Sequence, residues 1–173
     1  MLNSVVVIDT ETTGLDADAE ILQCSIISGK GKVLLNEFYR PERHASWEGA
    51  MAVNGITPER VRACPAFKES RRKIAEILDQ SSLVIGYNLP FDIGMLERNG
   101  VKCPGSEKQC DLMRPFAEVF GEWSDTYQTW KWQKLTVCAG FYGYKGGKFH
   151  DSLEDCKATL HCYLAMKKNG EIA

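Results

Sequence analysis

The stretch VVVIDTET, residues 5–12, sets four consecutive β-branched apolar residues directly before Asp9 and Glu11. An unbroken apolar run without alternation predicts a strand that is buried on both faces, as in the middle of a sheet. Asp9 and Glu11 stand two positions apart, so their side chains project to the same face of an extended backbone. Two buried carboxylates repel each other unless a cation lies between them, so the spacing invites a divalent metal. An isolated Asp-x-Glu more often belongs to a solvated turn. Further candidate ligands elsewhere in the chain are therefore needed to favour a metal site.

Composition restricts the possible functions. The chain has 173 residues, 44% of them apolar, which predicts one sizeable core and a single domain over residues 1–173. The formal net charge of −2 argues against a general basic surface for duplex DNA, so any contact with nucleic acid must be local. Seven cysteines without a Cys-x-x-Cys pair predict reduced thiols in a cytoplasmic protein. No apolar run approaches the roughly 20 residues that span a bilayer, so we expect no membrane partner.

The order of the predicted elements indicates an α/β fold. An opening strand at residues 4–9 precedes two further strand candidates, EILQCSIIS (20–28) and KVLLNEFYR (32–40), which together predict a three-stranded antiparallel meander. Strands and helices then alternate, which predicts a mixed central sheet flanked by helices. The later candidates are a helix at 66–79, a strand at 82–87, and helices at 91–100, 133–144 and 152–168.

Further acids follow at two later points of the chain. GYNLPFDIGML (86–96) places Asp92 after a predicted strand, where ligand sites gather in open α/β sheets, although Asp92 could also simply favour a helix N-terminus. FHDSLEDCKAT (149–159) combines His150 with Asp155 at the start of the last helix. Helix capping explains the serine of this segment but leaves His150 without a role. An imidazole beside carboxylates and bound water is a candidate general base.

DTETTGL (9–15), GYNLPFD (86–92) and HDSLED (150–155), in this order, resemble the three exonuclease motifs of the DEDDh, or DnaQ-like, 3′–5′ exonucleases. That family includes the proofreading ε subunit of bacterial DNA polymerase III and has a ribonuclease H-like fold. The resemblance implies two Mg²⁺ or Mn²⁺ ions as cofactors and assigns a role to each motif residue. Asp9, Glu11 and Asp155 would ligate the ions, Asp92 would help to hold the second one, and His150 would deprotonate the attacking water.

The same resemblance implies a binding site for the terminal nucleotide. Backbone N–H groups in the turn after Glu11 would grip it, and Leu15 would act as an apolar wedge between the last two bases, although ordinary packing explains Leu15 equally well. Phe91 is more readily explained as a core residue than as a stacking platform. The expected substrate-binding residues are Thr12, Thr13, Gly14, Leu15, Asn88 and Phe91.

The least periodic region, FGEWSDTYQTWKWQK (120–134), is predicted to be a long loop or lid. Four of its aromatic residues are interleaved with lysines. They could stack single-stranded bases and contact phosphates, or they could pack the loop onto the domain. The region could also form the surface of a homodimer. The residues concerned are Trp123, Tyr127, Trp130, Trp132, Lys131 and Lys134.

The function expected from the sequence is hydrolysis of phosphodiester bonds from the 3′ end of a single strand, with release of nucleoside monophosphates. DNA is favoured over RNA because DTETTGL is most similar to the proofreading members of the family. The alternatives are a 3′–5′ exoribonuclease and a nucleic-acid-binding module without catalysis. A haloacid-dehalogenase-like phosphatase, with Asp9 as nucleophile, is disfavoured because the second acid is Glu11 and no later Gly-Asp-x-x-x-Asp pattern follows.

Overall fold

A computed structural model describes residues 5–172 and places the opening stretch, β1, at the centre of a five-stranded sheet. The strand order is β3-β2-β1-β4-β5, in which β1, β2 and β3 are antiparallel and β4 and β5 run parallel to β1. The predicted mixed sheet with an N-terminal meander is confirmed. The bounds are β1 Val5–Thr12, β2 Ile21–Ser28, β3 Val33–Phe38, β4 Leu83–Gly86 and β5 Gln109–Asp111.

Helices cover both faces of this sheet, as predicted. Val6 and Ile8 of β1 face a core formed with α3 and α4, whereas Val5 and Val7 face a second core formed with α5, α6 and α7. β1 is therefore apolar on both sides, as its unbroken run requires. The helices are α1 Glu48–Asn54, α2 Pro58–Val61, α3 Arg71–Asp79, α4 Leu89–Arg98, α5 Met113–Phe120, α6 Leu135–Phe141 and α7 Ser152–Asn169.

The register of β1 leaves one of its sides open near its end. β1 pairs with β2 as far as Thr12, but its parallel pairing with β4 ends at Val7, opposite Ile85. Beyond Val7, the β4 side of β1 is therefore free of a neighbouring strand. This point lies where the sheet changes from antiparallel to parallel pairing, and the carboxyl ends of parallel strands are the usual place for a ligand site in α/β sheets.

Several boundaries differ from the sequence prediction. β1 continues through Asp9 and Glu11 to Thr12, so the acids lie within the strand, whereas Ser4 lies outside the described residues. The helix predicted at 66–79 is a 3₁₀ turn, Phe67–Glu69, followed by α3. α1, β5 and α5 were not predicted, because none of them carries a strong start signal: Trp47 and Leu112, which precede α1 and α5, make no side-chain capping hydrogen bond.

The region predicted as a loop at 120–134 contains a short β-hairpin. β6 (Trp123–Ser124) pairs with β7 (Thr129–Trp130), and Gln128 in the turn has a φ of 51°. All seven cysteines are free thiols, as predicted. Within residues 5–172, no helix has both the length and the apolar character that crossing a bilayer demands.

Candidate active site

Two elements deliver three acids to one place. Asp9 and Glu11 point to the face of β1 that packs against α7, because they continue the alternation of Val5 and Val7. α7 begins there, capped by the Asp151 side chain, which accepts hydrogen bonds from the backbone of its first turn. Asp155 therefore lies in the first turn of α7.

Glu11, His150 and Asp155 form the candidate metal site. One ligand atom from each lies within 4.8 Å of the others. The carboxylate of Asp155 accepts a hydrogen bond from the His150 backbone N–H through Oδ2 at 3.1 Å, while its Oδ1 is buried and has no hydrogen-bond partner among the described residues. His150 has a φ of 64°, an uncommon left-handed conformation for a non-glycine residue. A buried oxygen without a partner, beside two other hard or borderline donors, fits a divalent cation.

Burial and mutual repulsion raise the pKa values of these carboxyl groups. Burial, followed by the negative charges of Asp92, Asp155 and Glu11, raises the pKa of Asp9 well above its usual range. Burial and the charge of Asp155 raise the pKa of Glu11 to about 8. Burial raises the pKa of Asp155 to about 7. Without a compensating cation, the protein thus disfavours full ionisation of the cluster, and a bound divalent ion would relieve this repulsion.

Asp92 reaches the cluster from the opposite layer of the sheet. It lies in the first turn of α4, is 3% exposed, and its Oδ1 accepts hydrogen bonds from Thr10 Oγ1 at 2.6 Å and from the Thr10 backbone N–H at 2.9 Å. This contact is possible because β1 has no strand neighbour on that side beyond Val7. Burial raises the pKa of Asp92 to about 7, although the bonds from Thr10 act in the opposite direction.

Leu15 divides two cavities beside the acids. One, of about 550 Å³, is lined by residues 11–15 and by α1; the other, of about 890 Å³, holds Asn88, His150 and Asp155. Leu15 lines both cavities and is 84% exposed. Packing in the core therefore does not explain this leucine, and its position suits a side chain that contacts a bound chain on both sides.

The structure brings most of the expected substrate-binding residues to these cavities, with two qualifications. Thr12, Thr13 and Gly14 line the smaller cavity, but the Thr13 backbone N–H is already donated to the Glu20 carbonyl at 2.9 Å. Phe91 packs against the core on the α3 and α4 side and is not among the residues that line either cavity.

Sequence reasoning missed three side chains that fix the site. Thr10 holds Asp92. Asn54 at the end of α1 donates to the Thr12 carbonyl at 3.3 Å, and its side-chain amide acts to lower the pKa of Glu11. Asp111 at the end of β5 accepts the Asn88 backbone N–H at 2.7 Å, which ties down the start of α4. Asn54 and Asp111 are polar residues at the ends of elements, which was their only signal, whereas Thr10 lies within β1 and gave none.

Residues 6–163 match the exonuclease family RNase_T. The chain belongs to this family. Its DnaQ-like 3′–5′ exonuclease members are those that the three sequence motifs resemble, so that interpretation is confirmed. As a member of this exonuclease family, the chain is a hydrolytic nuclease that acts on nucleic acid. Enzymes of this family depend on metal ions for activity.

Individual relatives extend over nearly the whole chain. An uncharacterized exonuclease of Escherichia phage 186 is 34% identical, covering 94% of this chain and 88% of the phage protein. DNA polymerase III subunit epsilon of Rickettsia prowazekii is 34% identical, covering 93% of this chain and 72% of that subunit. RNA exonuclease 4 of Saccharomyces cerevisiae is 27% identical, covering 98% of this chain but only 57% of the yeast protein.

Solved structures show the same fold. Exonuclease X, determined in complex with 5′ overhanging duplex DNA, superimposes with a TM-score of 0.72 over 96% of this chain and 93% of that chain. The two sequences are 22% identical. This similarity confirms the ribonuclease H-like architecture.

Proposed function

We propose that this exonuclease-family chain removes nucleotides one at a time from the 3′ end of single-stranded DNA by a DEDDh mechanism. The observation that carries the proposal is the grouping of Glu11, His150 and Asp155 within 4.8 Å, with one buried Asp155 oxygen free of hydrogen bonds. Acids alone would suit many cation sites. The addition of an imidazole at the same point supports hydrolysis, because it supplies a proton acceptor.

Each acid has a separate task in this proposal. Asp9, Glu11 and Asp155 would hold the divalent ions, Mg²⁺ or Mn²⁺, and Asp92 would help to hold one of them. Bound there, the ions would lower the pKa of the attacking water and offset negative charge on the phosphate and the leaving oxygen. Thr10 keeps Asp92 in place by two hydrogen bonds to one carboxylate oxygen, which leaves the other oxygen for the site.

His150 is the proposed general base. Its ring is exposed on the loop before α7, while its backbone N–H is tied to Asp155. This attachment holds the imidazole beside the carboxylates, so that it can accept the proton of the water as the water attacks phosphorus. The 3′ oxygen of the preceding nucleotide then leaves, and a nucleoside 5′-monophosphate is released.

Leu15 and Asn88 are the proposed contacts to the terminal nucleotides. Leu15 stands between the two cavities, so each cavity would receive one of the last two bases. Asn88 forms part of the wall of the larger cavity. Since a paired duplex end would first have to unstack and open, this arrangement favours single strands.

An exoribonuclease is the second candidate, and the match to yeast RNA exonuclease 4 favours it. DNA remains our proposal because the Rickettsia polymerase subunit is the more identical of the two relatives and more of its length is covered. The discriminating contact is one to the 2′-hydroxyl, which DNA lacks.

A substrate panel tests the proposal. Single-stranded DNA, single-stranded RNA and blunt duplex DNA of the same sequence are incubated with wild type and with Asp9→Ala in Mg²⁺. We expect single-stranded DNA to be degraded fastest and Asp9→Ala to be inactive on all three. Faster loss of RNA would replace the DNA proposal by the exoribonuclease, and equal rates for both proteins would contradict catalysis at Asp9.

A further inference from the structure

The β6–β7 hairpin exposes aromatic side chains. Tyr127 is 80% exposed, Trp132 61% and Trp123 44%. Tryptophan is normally well buried, and exposed apolar surface of this kind marks a binding site. Packing of this segment onto the domain, the alternative raised by the sequence, therefore does not account for these three rings.

A cavity of about 440 Å³ with mainly apolar walls lies in the hairpin. Trp132 lines this cavity and also lines the larger active-site cavity, together with His150 and Asp155. The indole ring of Trp132 therefore joins the hairpin surface to the active-site cavity. The residues that line the hairpin cavity are Ser124, Tyr127, Thr129, Trp130, Lys131 and Trp132.

Several contacts hold the hairpin in a fixed position. Trp123 and Trp130, which are cross-strand partners, pack edge to face with ring centroids 5.0 Å apart. Lys131 forms an ion pair with Glu122 at 2.7 Å. The Tyr87 hydroxyl, at the end of β4, donates to the Gln133 carbonyl at 2.8 Å, which anchors the hairpin to the sheet edge that carries the active site. A two-stranded hairpin has little stability alone, so these anchors are needed.

We propose that this hairpin is a second nucleic-acid subsite, on which unpaired bases stack on the 5′ side of the nucleotide being removed. The inference rests on the proposed function, because Trp132 lines the same cavity as His150, where the 3′ end would be held. Stacking on aromatic rings tolerates any base and needs the base faces to be free, as in a single strand. It also suits a chain with a net charge of −2, which lacks a broad basic surface to hold phosphates. Exposed Lys134, in the cavity wall next to Trp132, is placed to contact the backbone.

Binding measured without cleavage tests the subsite directly. The affinities of 5′-labelled single-stranded DNA of 3 and 12 nucleotides are compared in EDTA for wild type, Trp132→Ala and Tyr127→Ala. We expect Trp132→Ala to weaken binding of the 12-mer by about tenfold, which is of the order of one lost base–aromatic stack, and to affect the 3-mer less. Trp132→Phe, which keeps a ring, should recover most of the affinity. Equal affinity of wild type and Trp132→Ala for the 12-mer overturns the subsite.

Phe141→Ala is the matched control. Phe141 is an aromatic residue of α6 that is 55% exposed and is absent from the walls of both the hairpin and the active-site cavities. The Phe141→Ala variant should bind the 12-mer with wild-type affinity. A tenfold loss of affinity in this variant would show that removal of any exposed aromatic ring weakens binding, and would overturn the subsite. Melting curves for all variants identify a variant that has failed to fold. If Trp132→Ala fails, Tyr127→Ala carries the comparison: it also removes an exposed ring from the hairpin cavity, and it should weaken binding of the 12-mer and not of the 3-mer.

Two further outcomes separate the subsite from the proposed function. Normal cleavage of the 12-mer with the same KM in wild type and Trp132→Ala would overturn the subsite and leave the exonuclease standing. If Trp132→Ala binds the 12-mer more weakly but wild type does not cleave it, the hairpin subsite would be supported and the proposed exonuclease function would be contradicted. Light scattering tests whether a second copy of the chain covers the hairpin instead. If wild type is a dimer, Trp132→Ala is a monomer, and both bind the 12-mer with the same affinity, the proposal is overturned.

Discussion

At the end of β1 the protein buries charge, and at the β6–β7 hairpin it exposes aromatic rings. Asp92 and Asp155 are 3% and 7% exposed, whereas Tyr127 and Trp132 are 80% and 61% exposed. Each arrangement costs stability, because buried carboxylates lose hydration and exposed rings gain nothing from packing. Both regions meet at the cavity that Trp132 shares with Asp155. We infer that each cost is offset on binding: cations compensate the acids and unpaired bases cover the rings.

The largest expected effect is that of Asp155→Asn. The amide can still accept the His150 N–H through its oxygen, but it removes a charge from the proposed metal site, so cleavage should fall on the order of a thousandfold or more. The melting temperature should stay equal or rise, since repulsion within the acid cluster decreases. Rate measurements beside melting curves check both. Asp79→Asn, at the exposed end of α3 and outside the walls of the hairpin and active-site cavities, is the matched control and should retain wild-type activity.

His150→Ala should reduce cleavage by about 10²–10⁴-fold, the range associated with loss of a general base. The side chain is exposed, so the free energy of unfolding should change little. Added imidazole should restore part of the rate in His150→Ala and none in Asp155→Asn. Equal rescue of the two variants, or none in either, would argue against a proton-transfer role for His150.

Thr10→Val should have a smaller effect, on the order of tenfold to a hundredfold in metal affinity or rate. Valine retains the backbone N–H bond to Asp92 but removes the 2.6 Å hydroxyl bond, which holds a proposed ligand in place from the outer shell. Thr10→Ser keeps the hydroxyl and should behave much like wild type. Mn²⁺ titrations of both variants separate loss of this bond from a change in strand packing, which would affect Thr10→Ser as well.

The free energy of unfolding should fall less steeply with rising pH when metal is added. The folded-state pKa values of Glu11, Asp92 and Asp155 are raised to about 8, 7 and 7, so the metal-free folded chain holds protons that the unfolded chain has lost. The free energy of unfolding in EDTA should therefore fall as pH rises from about 4 to about 8. Mn²⁺ should oppose this loss and raise the melting temperature by about 5 °C at pH 8, and less at pH 6. A similar increase for Asp155→Asn would place the stabilising ion elsewhere.

The sequence predicts those parts of this molecule in which one residue pattern has one structural cause. The unbroken β-branched run Val5 to Ile8 predicts a central strand, and the motif acids follow from their order and spacing. β5 has three residues and no periodicity, so only its neighbours Val84 to Gly86 define it. The hairpin turn lacks glycine, and Gln128 adopts a positive φ that its sequence does not suggest.

The side chains that support the site could not be predicted from the sequence, for a different reason. Thr10 is an ordinary strand residue in the printed chain, and its role depends on where the pairing of β1 with β4 stops, a property of the register. Asn54 reaches Glu11 from a helix that carries no start signal. Such contacts join distant segments, so local patterns contain no information about them.

The polarity of cleavage is tested with a single-stranded DNA that is labelled at its 3′ end or at its 5′ end and incubated with Mg²⁺ or with EDTA. We expect the 3′ label to appear at once as a mononucleotide, the 5′-labelled strand to shorten one nucleotide at a time, and EDTA to stop both reactions. Immediate release of a 5′-labelled mononucleotide, or degradation that continues in EDTA, would contradict metal-dependent cleavage from the 3′ end.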